Sequence, residues 1–185
     1  MHKEKTILGI DPGTNLLGFG VIHVDDGGPR FAGMGVIDLR KETEVFDKLR
    51  RIHSEVGALC DKYRPDDMAV ESPFMGKNAQ VILKLGRAQG AAIIAAVSRD
   101  IPVHEYAPRK AKVAICGNGA ASKEQVSLMV QKTLGVELDP KSLDATDALA
   151  VAMCHYYRQE SPLTGHAKAA DSWEKFIRAN PDRVK

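Results

Sequence analysis

The segment Thr6–Asp11 most limits the folds open to this chain, because it is an almost wholly apolar run that ends in a carboxylate. Isoleucine and leucine dominate it, and Pro12-Gly13 stops it at once, which is the pattern of a short buried strand. A strand this continuously apolar is covered on both faces and belongs at the centre of a sheet. We therefore expect a layered α/β fold with this strand in the middle.

The remaining pattern predicts the order of the elements. Strands Gly18–Val24 and Phe31–Leu39 follow in an antiparallel meander, with a turn over Asp25–Pro29. Apolar residues spaced three and four apart then predict a long helix from Val45 to Tyr63. Further segments are strands Met68–Glu71 and Pro102–Tyr106 and helices Ala79–Ser98, Arg109–Cys116, Lys123–Thr133 and Leu143–Arg158. The sequence predicts a mixed five-stranded sheet, three antiparallel strands followed by parallel additions, flanked by helices.

Length and composition describe an ordinary globular chain. Its 185 residues suit one domain, and no apolar run reaches the length of a membrane span. The first five residues lead straight into a strand, which argues against a secretory signal. Cys60, Cys116 and Cys154 are few and far apart, so we expect neither a disulfide framework nor a zinc site of paired cysteines. These features favour a cytoplasmic location.

Four carboxylates stand at the ends of predicted elements. Asp11 and Glu71 each end an apolar strand, while Asp144 and Asp147 begin the last helix. Residues three apart share a helix face, so Asp144 and Asp147 point the same way. If the four converge, each pair of charges ~4 Å apart repels by roughly 4 kcal/mol at an effective dielectric near 20. Divalent cations would relieve this repulsion, and all-oxygen ligands favour Mg²⁺ or Mn²⁺.

Simpler explanations exist for each acid alone. Asp11-Pro12-Gly13 is also good turn chemistry, and it resembles the start of a phosphate-binding loop in actin-like ATPases. Asp144 and Asp147 could stabilise the helix dipole, and Glu71 could be a solvated strand end. An actin-like ATPase would be much longer and would carry a second Asp-Gly phosphate loop, which this sequence lacks.

Positive charge is concentrated in the middle of the chain. Residues 76–132 hold nine basic residues against three acidic ones, although the net charge of the whole chain is only +2. The rest of the chain is therefore net acidic. An acidic cluster beside a basic surface suits a polyanionic substrate held around metal ions, whereas lysine-rich helix surfaces are also common without any such role.

Several blocks together resemble the RuvC-type Holliday junction resolvases, in the order in which that family has them. They span about Ile7 to Tyr157. The blocks are Ile10-Asp11-Pro12-Gly13, Val70-Glu71, Phe74-Met75-x-Lys77-Asn78-Ala79, Leu83-Lys84-Leu85-Gly86, Glu105-Tyr106-Ala107 and Asp144-Ala145-Thr146-Asp147-Ala148-Leu149-Ala150. Any one block is weak evidence, and the combined set is strong.

The resemblance implies an RNase H-like nuclease domain, which we place over residues 1–158. Beyond Arg158 the composition turns polar, which predicts a loosely attached tail over 159–185. It implies a homodimer with two Mg²⁺ ions per active site, which Mn²⁺ could replace. It further implies paired symmetric nicks across four-way DNA junctions in recombination and repair, leaving 5′-phosphate ends. A branch-migration motor of the RuvA and RuvB type is the implied protein partner.

The resemblance also assigns roles to single residues. The metal ligands fall on Asp11, Glu71, Asp144 and Asp147, and Asp11 is expected to contact both ions. Lys123 joins these acids as a catalytic residue. The expected DNA contacts are Phe74, Lys77, Lys112 and Lys123. Gly86 and Gly90, together with nearby alanines, form a small-residue helix face that is our candidate for dimer packing.

Two other functions remain open on the sequence alone. Another nuclease of the RNase H fold, such as one that processes ribosomal RNA precursors, is fully separated from a resolvase only by substrate assays, although Phe74 and the blocks in the second half of the chain favour the resolvase. A junction-binding protein without catalysis is less well supported, because no acid of the quartet is missing.

Overall fold

The computed structural model describes residues 4–73, 78–139 and 143–160. The strands are β1 (Lys5–Asp11), β2 (Leu16–Asp25), β3 (Gly28–Asp38), β4 (Asp67–Glu71) and β5 (Val103–Tyr106). The helices are α1 (Val45–Tyr63), α2 (Ala79–Val97), α3 (Pro108–Cys116), α4 (Lys123–Leu134) and α5 (Leu143–Glu160). The strands form one sheet in the order β3-β2-β1-β4-β5. β1 is antiparallel to β2 and parallel to β4, so the predicted mixed sheet with a central first strand is confirmed.

Helices cover both faces of the sheet, as the apolar character of β1 requires. Successive side chains of a strand point to opposite faces. Leu8 and Ile10 pack in one core with α1 and α2, while Ile7 packs in a second core with α3, α4 and α5. Asp11 has the same parity as Ile7, so its carboxylate faces the layer that contains α5.

Helix α5 packs closely against the sheet because three strand residues have no side chain. A Cβ at Gly9 would lie 2.0 Å from the carbonyl oxygen of Ala148. A Cβ at Gly18 would lie 2.2 Å from that of Asp144, and one at Gly20 would lie 2.7 Å from the side chain of Leu149. These glycines let the first half of α5 settle on β1 and β2.

Several details differ from the sequence-based expectation. The pairing of β2 with β3 continues to Asp25 and Gly28, so the predicted five-residue turn is wrong and only two residues connect the strands. Helix α5 continues to Glu160, beyond the predicted end at Arg158. The rest of the expected tail, 161–185, lies outside the described residues.

Helix α2 presents two different faces. Its alanines at 88, 92, 95 and 96 are buried against α1 and the sheet. A Cβ added at Gly86 or Gly90 would meet no atom of the described residues within 4 Å, so the expectation that these glycines share one face with the alanines is wrong. By length and composition α2 would also suit a membrane span, which is weak evidence for a single helix with a partly buried face.

Candidate metal centre

Three carboxylates meet where β1 ends beside the start of α5. One oxygen each from Asp11, Asp144 and Asp147 lies within 4.8 Å of the others. Asp144 and Asp147 stand on the first turns of α5, one turn apart on the same side of the helix. Asp11 is the last residue of β1 and faces α5. We call these three residues the acidic cluster.

Glu71 lies beside this cluster on the neighbouring strand. The parallel pairing aligns Ile10 with Val70, so Asp11 and Glu71 follow at the same edge of adjacent strands, which are about 4.8 Å apart. Burial and the charges of Asp11 and Asp147 raise the pKa of Glu71 to about 8. The fourth predicted acid therefore feels the cluster electrostatically, although it is not within the 4.8 Å group.

The acids cannot all carry a charge at neutral pH without compensation. Burial is the main cause that raises the pKa of Asp11 to about 7, and the charges of Asp147 and Asp144 add to it. Burial also raises the pKa of Asp147, although the hydrogen bond from Lys123 opposes it. Buried like charges of this kind are typical of sites that bind a cation or catalyse proton transfer.

Lys123 supplies a positive charge at the acidic cluster. It is the first residue of α4, which begins with a capping box formed by Ser122 and Gln125. Its Nζ lies 2.6 Å from Asp147 Oδ2 and 3.1 Å from Asp144 Oδ1. Burial disfavours its charged form, but the hydrogen bonds and charges of the two aspartates raise its pKa overall. The ammonium therefore stays charged at neutral pH.

Lys112 contacts the chain just before α4, a role that the sequence did not indicate. Its Nζ donates a hydrogen bond of 2.6 Å to the backbone oxygen of Ala121, just before α4. Its charge also lowers the pKa of Glu71 and Asp147 against the effect of burial. Lys112 thus holds the start of α4 in place and adds positive potential near the acids. Its predicted contact with DNA stays a prediction.

A hydrogen-bond network supports the chain directly after Glu71. Glu105 Oε2 accepts hydrogen bonds from Gln89 Nε2 at 2.9 Å and from Ser72 Oγ at 3.3 Å. The backbone N–H of Ser72 also donates to the carbonyl of Tyr106 at 2.9 Å. These contacts tie the end of β4 to β5 and to α2. Sequence reasoning assigned no role to Gln89, since its partner is distant in the chain.

A basic groove adjoins the turn after Asp11. It has a volume of about 320 Å³ and is lined in part by Gly13, Thr14, Lys48 and Lys84. Lys48 Nζ donates to the backbone oxygen of Thr14 at 2.9 Å and to Asn15 Oδ1 at 3.2 Å. Lys48 lies outside the basic segment that the sequence singled out, so only the fold brings it here.

Not every predicted site residue falls in the described part of the chain. Phe74 and Lys77 lie outside the described residues, so their expected DNA contacts stay predictions. The structure brings Asp11, Asp144 and Asp147 within ligand distance of one another. Lys123 forms ion pairs with Asp144 and Asp147, and Glu71 flanks the group.

Known proteins resemble the chain over nearly its whole length. The family model described as crossover junction endodeoxyribonuclease RuvC matches residues 7–155. The RuvC of Bacteroides fragilis is 52% identical over 99% of this chain and 97% of its own length. A structure of Thermus thermophilus RuvC, 34% identical, matches with a TM-score of 0.75 over 84% of this chain and 95% of that one. Its complex with a Holliday junction substrate, 31% identical, also gives 0.75, with the same two coverages. The chain belongs to the RuvC family of crossover junction endodeoxyribonucleases.

Proposed function

We propose that this protein is an endonuclease that resolves four-way DNA junctions by paired, symmetric nicks in recombination and repair. The observation that carries the proposal is the acidic cluster at the end of β1, flanked by Glu71 and Lys123, in a member of the RuvC family. The named relatives are crossover junction endodeoxyribonucleases, and one structural relative is bound to a Holliday junction substrate.

The acidic cluster fits a divalent cation of the Mg²⁺ type. Its donor atoms are all carboxylate oxygens, and such ligands favour hard cations such as Mg²⁺ over zinc or copper. The raised pKa values of Asp11 and Glu71 indicate that these acids lack enough positive charge around them. We propose two Mg²⁺ ions per site, held by Asp11, Glu71, Asp144 and Asp147, with Mn²⁺ as a substitute. Two such ions would neutralise the acids and stabilise charge on the attacking and leaving oxygens of a phosphodiester.

The chain's own groups position the substrate and compensate charge. Asp11 lies between Glu71 on one side and Asp144 and Asp147 on the other. It is therefore the acid best placed to bind both of the proposed Mg²⁺ ions. Lys123 holds a permanent positive charge at the two aspartates and can stabilise negative charge that develops on the phosphate. Lys112 fixes the start of α4 and so fixes where the Lys123 ammonium lies.

Basic side chains around the site would bind the phosphate backbone. Lys48 and Lys84 line the groove beside the turn that follows Asp11, and Lys112 adds charge on the other side. Such contacts position DNA without reading its sequence and weaken as salt rises. We retain Phe74 and Lys77 as proposed DNA contacts on the strength of the family resemblance.

We also propose that the protein acts as a homodimer through the outer face of α2. An apolar stripe there is solvent-exposed in the single chain: Leu83 is 56% exposed, Ile94 51% and Val97 49%. Gly86 and Gly90 lie between these residues, and none of the described residues fills the space beside them. A second copy could therefore approach closely and bury the stripe. A junction with near two-fold symmetry needs two such active sites.

Family membership supports two further proposals. A branch-migration motor of the RuvA and RuvB type is the partner that we propose for resolution. We propose a cytoplasmic location, which agrees with three free cysteines of which Cys60 and Cys154 are buried.

The test compares substrates under one set of conditions. Purified full-length protein with Mg²⁺ is given an end-labelled mobile four-way junction, a linear duplex of the same sequence and a structured RNA precursor. We expect symmetric nicks in the junction only, with products that ligase can seal. Equal cutting of the duplex would refute junction selectivity. Preferred cutting of the RNA would favour an RNA-processing enzyme of the same fold instead.

A further inference from the structure

A second group of metal-ligating side chains lies at the opposite end of the sheet from the acidic cluster. Asp67 begins β4 and Glu71 ends it, so the two residues are about 13 Å apart along the strand. His155 follows Asp147 by eight residues in α5, a rise of about 12 Å. Asp67, His104 and His155 form this distal cluster, which is separate from the nuclease site.

The distal cluster brings three ligand atoms close to one another. One atom from each of the three side chains lies within 4.8 Å of the other two. Asp67 Oδ1 is 3.3 Å from His104 Nε2, and Asp67 Oδ2 is 3.4 Å from His155 Nε2. A tetrahedral Zn²⁺ ion with bonds of about 2.0–2.1 Å holds its ligand atoms about 3.3 Å apart. The two distances involve different oxygens of Asp67, and the rings of His104 and His155 lie 4.4 Å apart at an angle of 30°. The side chains therefore have to turn toward a common point to bind such an ion.

His155 is held as metal-binding histidines are held. It is only 2% exposed, and its Nδ1 is hydrogen-bonded to the hydroxyl of Tyr106 at 2.6 Å. A partner at Nδ1 fixes the ring, as it does in metal-binding histidines. His155 Nε2 lies 2.8 Å from Gln159 Nε2 and 3.4 Å from Asp67 Oδ2, so the Gln159 amide has to move away when Nε2 binds a metal. Burial lowers the pKa of His155 and outweighs the hydrogen bond to Asp67, so the imidazole is neutral as ligation requires.

The distal cluster is open to solvent at His104, and the movable side chains of Lys5 and Gln159 contact Asp67. The side chain of His104 is 42% exposed, which provides an entry path and room for a fourth ligand. Lys5 Nζ and Gln159 Nε2 both donate to Asp67 Oδ2, at 3.3 Å and 3.1 Å. Lys5 is partly exposed and stands at the start of β1, so its ammonium can move into solvent when another cation takes its place.

We propose that Asp67, His104 and His155 bind a transition-metal ion of the Zn²⁺ class, which ties β4, β5 and α5 together away from the nuclease site. Two imidazoles and one carboxylate are nitrogen-rich ligands that favour such ions over Mg²⁺. The ion replaces Lys5 as the charge that compensates Asp67. Because β5 also carries Glu105, the same ion would hold the strand that supports the chain after Glu71.

The test measures zinc bound to the full-length protein while Mg²⁺ saturates the acidic cluster. After equilibrium dialysis at micromolar Zn²⁺, we expect one zinc per chain in the wild type and in Asp11→Asn. His104→Gln should lower the affinity by about tenfold or more, since second-shell changes alone cost 10- to 100-fold. His53→Gln, a change at an exposed histidine of α1, is the matched control and should bind as the wild type does. Lys5→Met should bind zinc several-fold more tightly, because the competing ammonium is gone.

Other outcomes overturn the proposal. They are the absence of zinc under these conditions, its retention in His104→Gln, its loss in Asp11→Asn, and an unchanged affinity in Lys5→Met. Loss in Cys116→Ser would assign the ion to a thiol instead. A Co²⁺-loaded sample gives an independent readout, because four-coordinate Co²⁺ absorbs visible light strongly. That absorption should appear in wild type and His53→Gln and be absent from His104→Gln.

Discussion

Gly18 lies directly opposite Asp11 in the pairing of β1 with β2, and a Cβ at Gly18 would lie 2.2 Å from the backbone oxygen of Asp144. Gly18, which pairs with Asp11, therefore permits the close approach of α5. That helix carries the other two acids of the cluster. Backbone atoms cannot give way as a flexible side chain can, so any larger residue would push α5 outward. The spacing of the acidic cluster depends on this glycine.

We predict that Gly18→Ala lowers junction cleavage by about tenfold or more, since misplacing reacting groups by about 1 Å can cost 100-fold in rate. Affinity for Mg²⁺ should fall as well, because Asp144 and Asp147 move away from Asp11. Single-turnover cleavage rates and Mg²⁺ titrations measure the two effects.

Gly35→Ala is the control for this prediction. It makes the same change in a neighbouring strand, but the added Cβ meets the movable ring of Phe19 rather than backbone. Cleavage by Gly35→Ala should stay within a few-fold of the wild type. Equal losses in the two variants would show that the glycines affect stability in general rather than the placement of α5.

The raised pKa values predict how stability changes with pH when metal is removed. The pKa is raised from 3.8 to about 7 at Asp11 and from 4.5 to about 8 at Glu71. The folded state holds these protons more tightly than the unfolded state. The stability they contribute is complete below about pH 4 and is lost as pH rises to about 8.

In EDTA, the thermal unfolding temperature should therefore decrease as pH is raised from about 5 to about 8. The decrease should be smaller in Asp11→Asn. Saturating Mg²⁺ should remove most of the difference between the two proteins above pH 7, because the ions replace the protons. An unfolding temperature in EDTA that increases over this pH range and is unaffected by Asp11→Asn would contradict the raised pKa of Asp11.

Lys123→Met should separate metal binding from catalysis. Removing the ammonium leaves Asp144 and Asp147 without their hydrogen-bonded cation, so Mg²⁺ should bind more tightly. Cleavage should nevertheless fall by about 100-fold, the usual effect of losing one electrostatic stabiliser of a transition state. Isothermal titration and single-turnover cleavage test this. Weaker Mg²⁺ binding would show instead that Lys123 mainly orders the site.

The proposed dimer face can be tested with two equally exposed positions. Ile94 on α2 is 51% exposed and Leu128 on α4 is 52% exposed. Ile94→Asp should give monomers in sedimentation experiments and should lose paired nicking, because one subunit cuts only one strand. Leu128→Asp should remain dimeric. Dimers in Ile94→Asp, or monomers in both variants, would place the interface elsewhere.

The fold was largely predictable because each element has a clear local pattern. The apolar run before Asp11 indicates a central strand, and apolar spacing indicates α1 to within a residue of its ends. The relation of Gly18 to Asp144 was not predictable, because a strand glycine indicates a close approach without naming the partner. Lys48 and the distal cluster were missed for the same reason: their partners are far apart in sequence and meet only in the folded sheet.

The most direct test of the nuclease site is Asp11→Asn, measured in parallel for junction cleavage and junction binding in Mg²⁺. The amide keeps the size of the side chain but removes the charge that a cation requires. We predict that cleavage is abolished while the variant binds the junction within a few-fold of the wild-type affinity. Cleavage close to the wild-type rate would contradict the role of the acidic cluster, and loss of both properties would make Asp11 a structural residue instead.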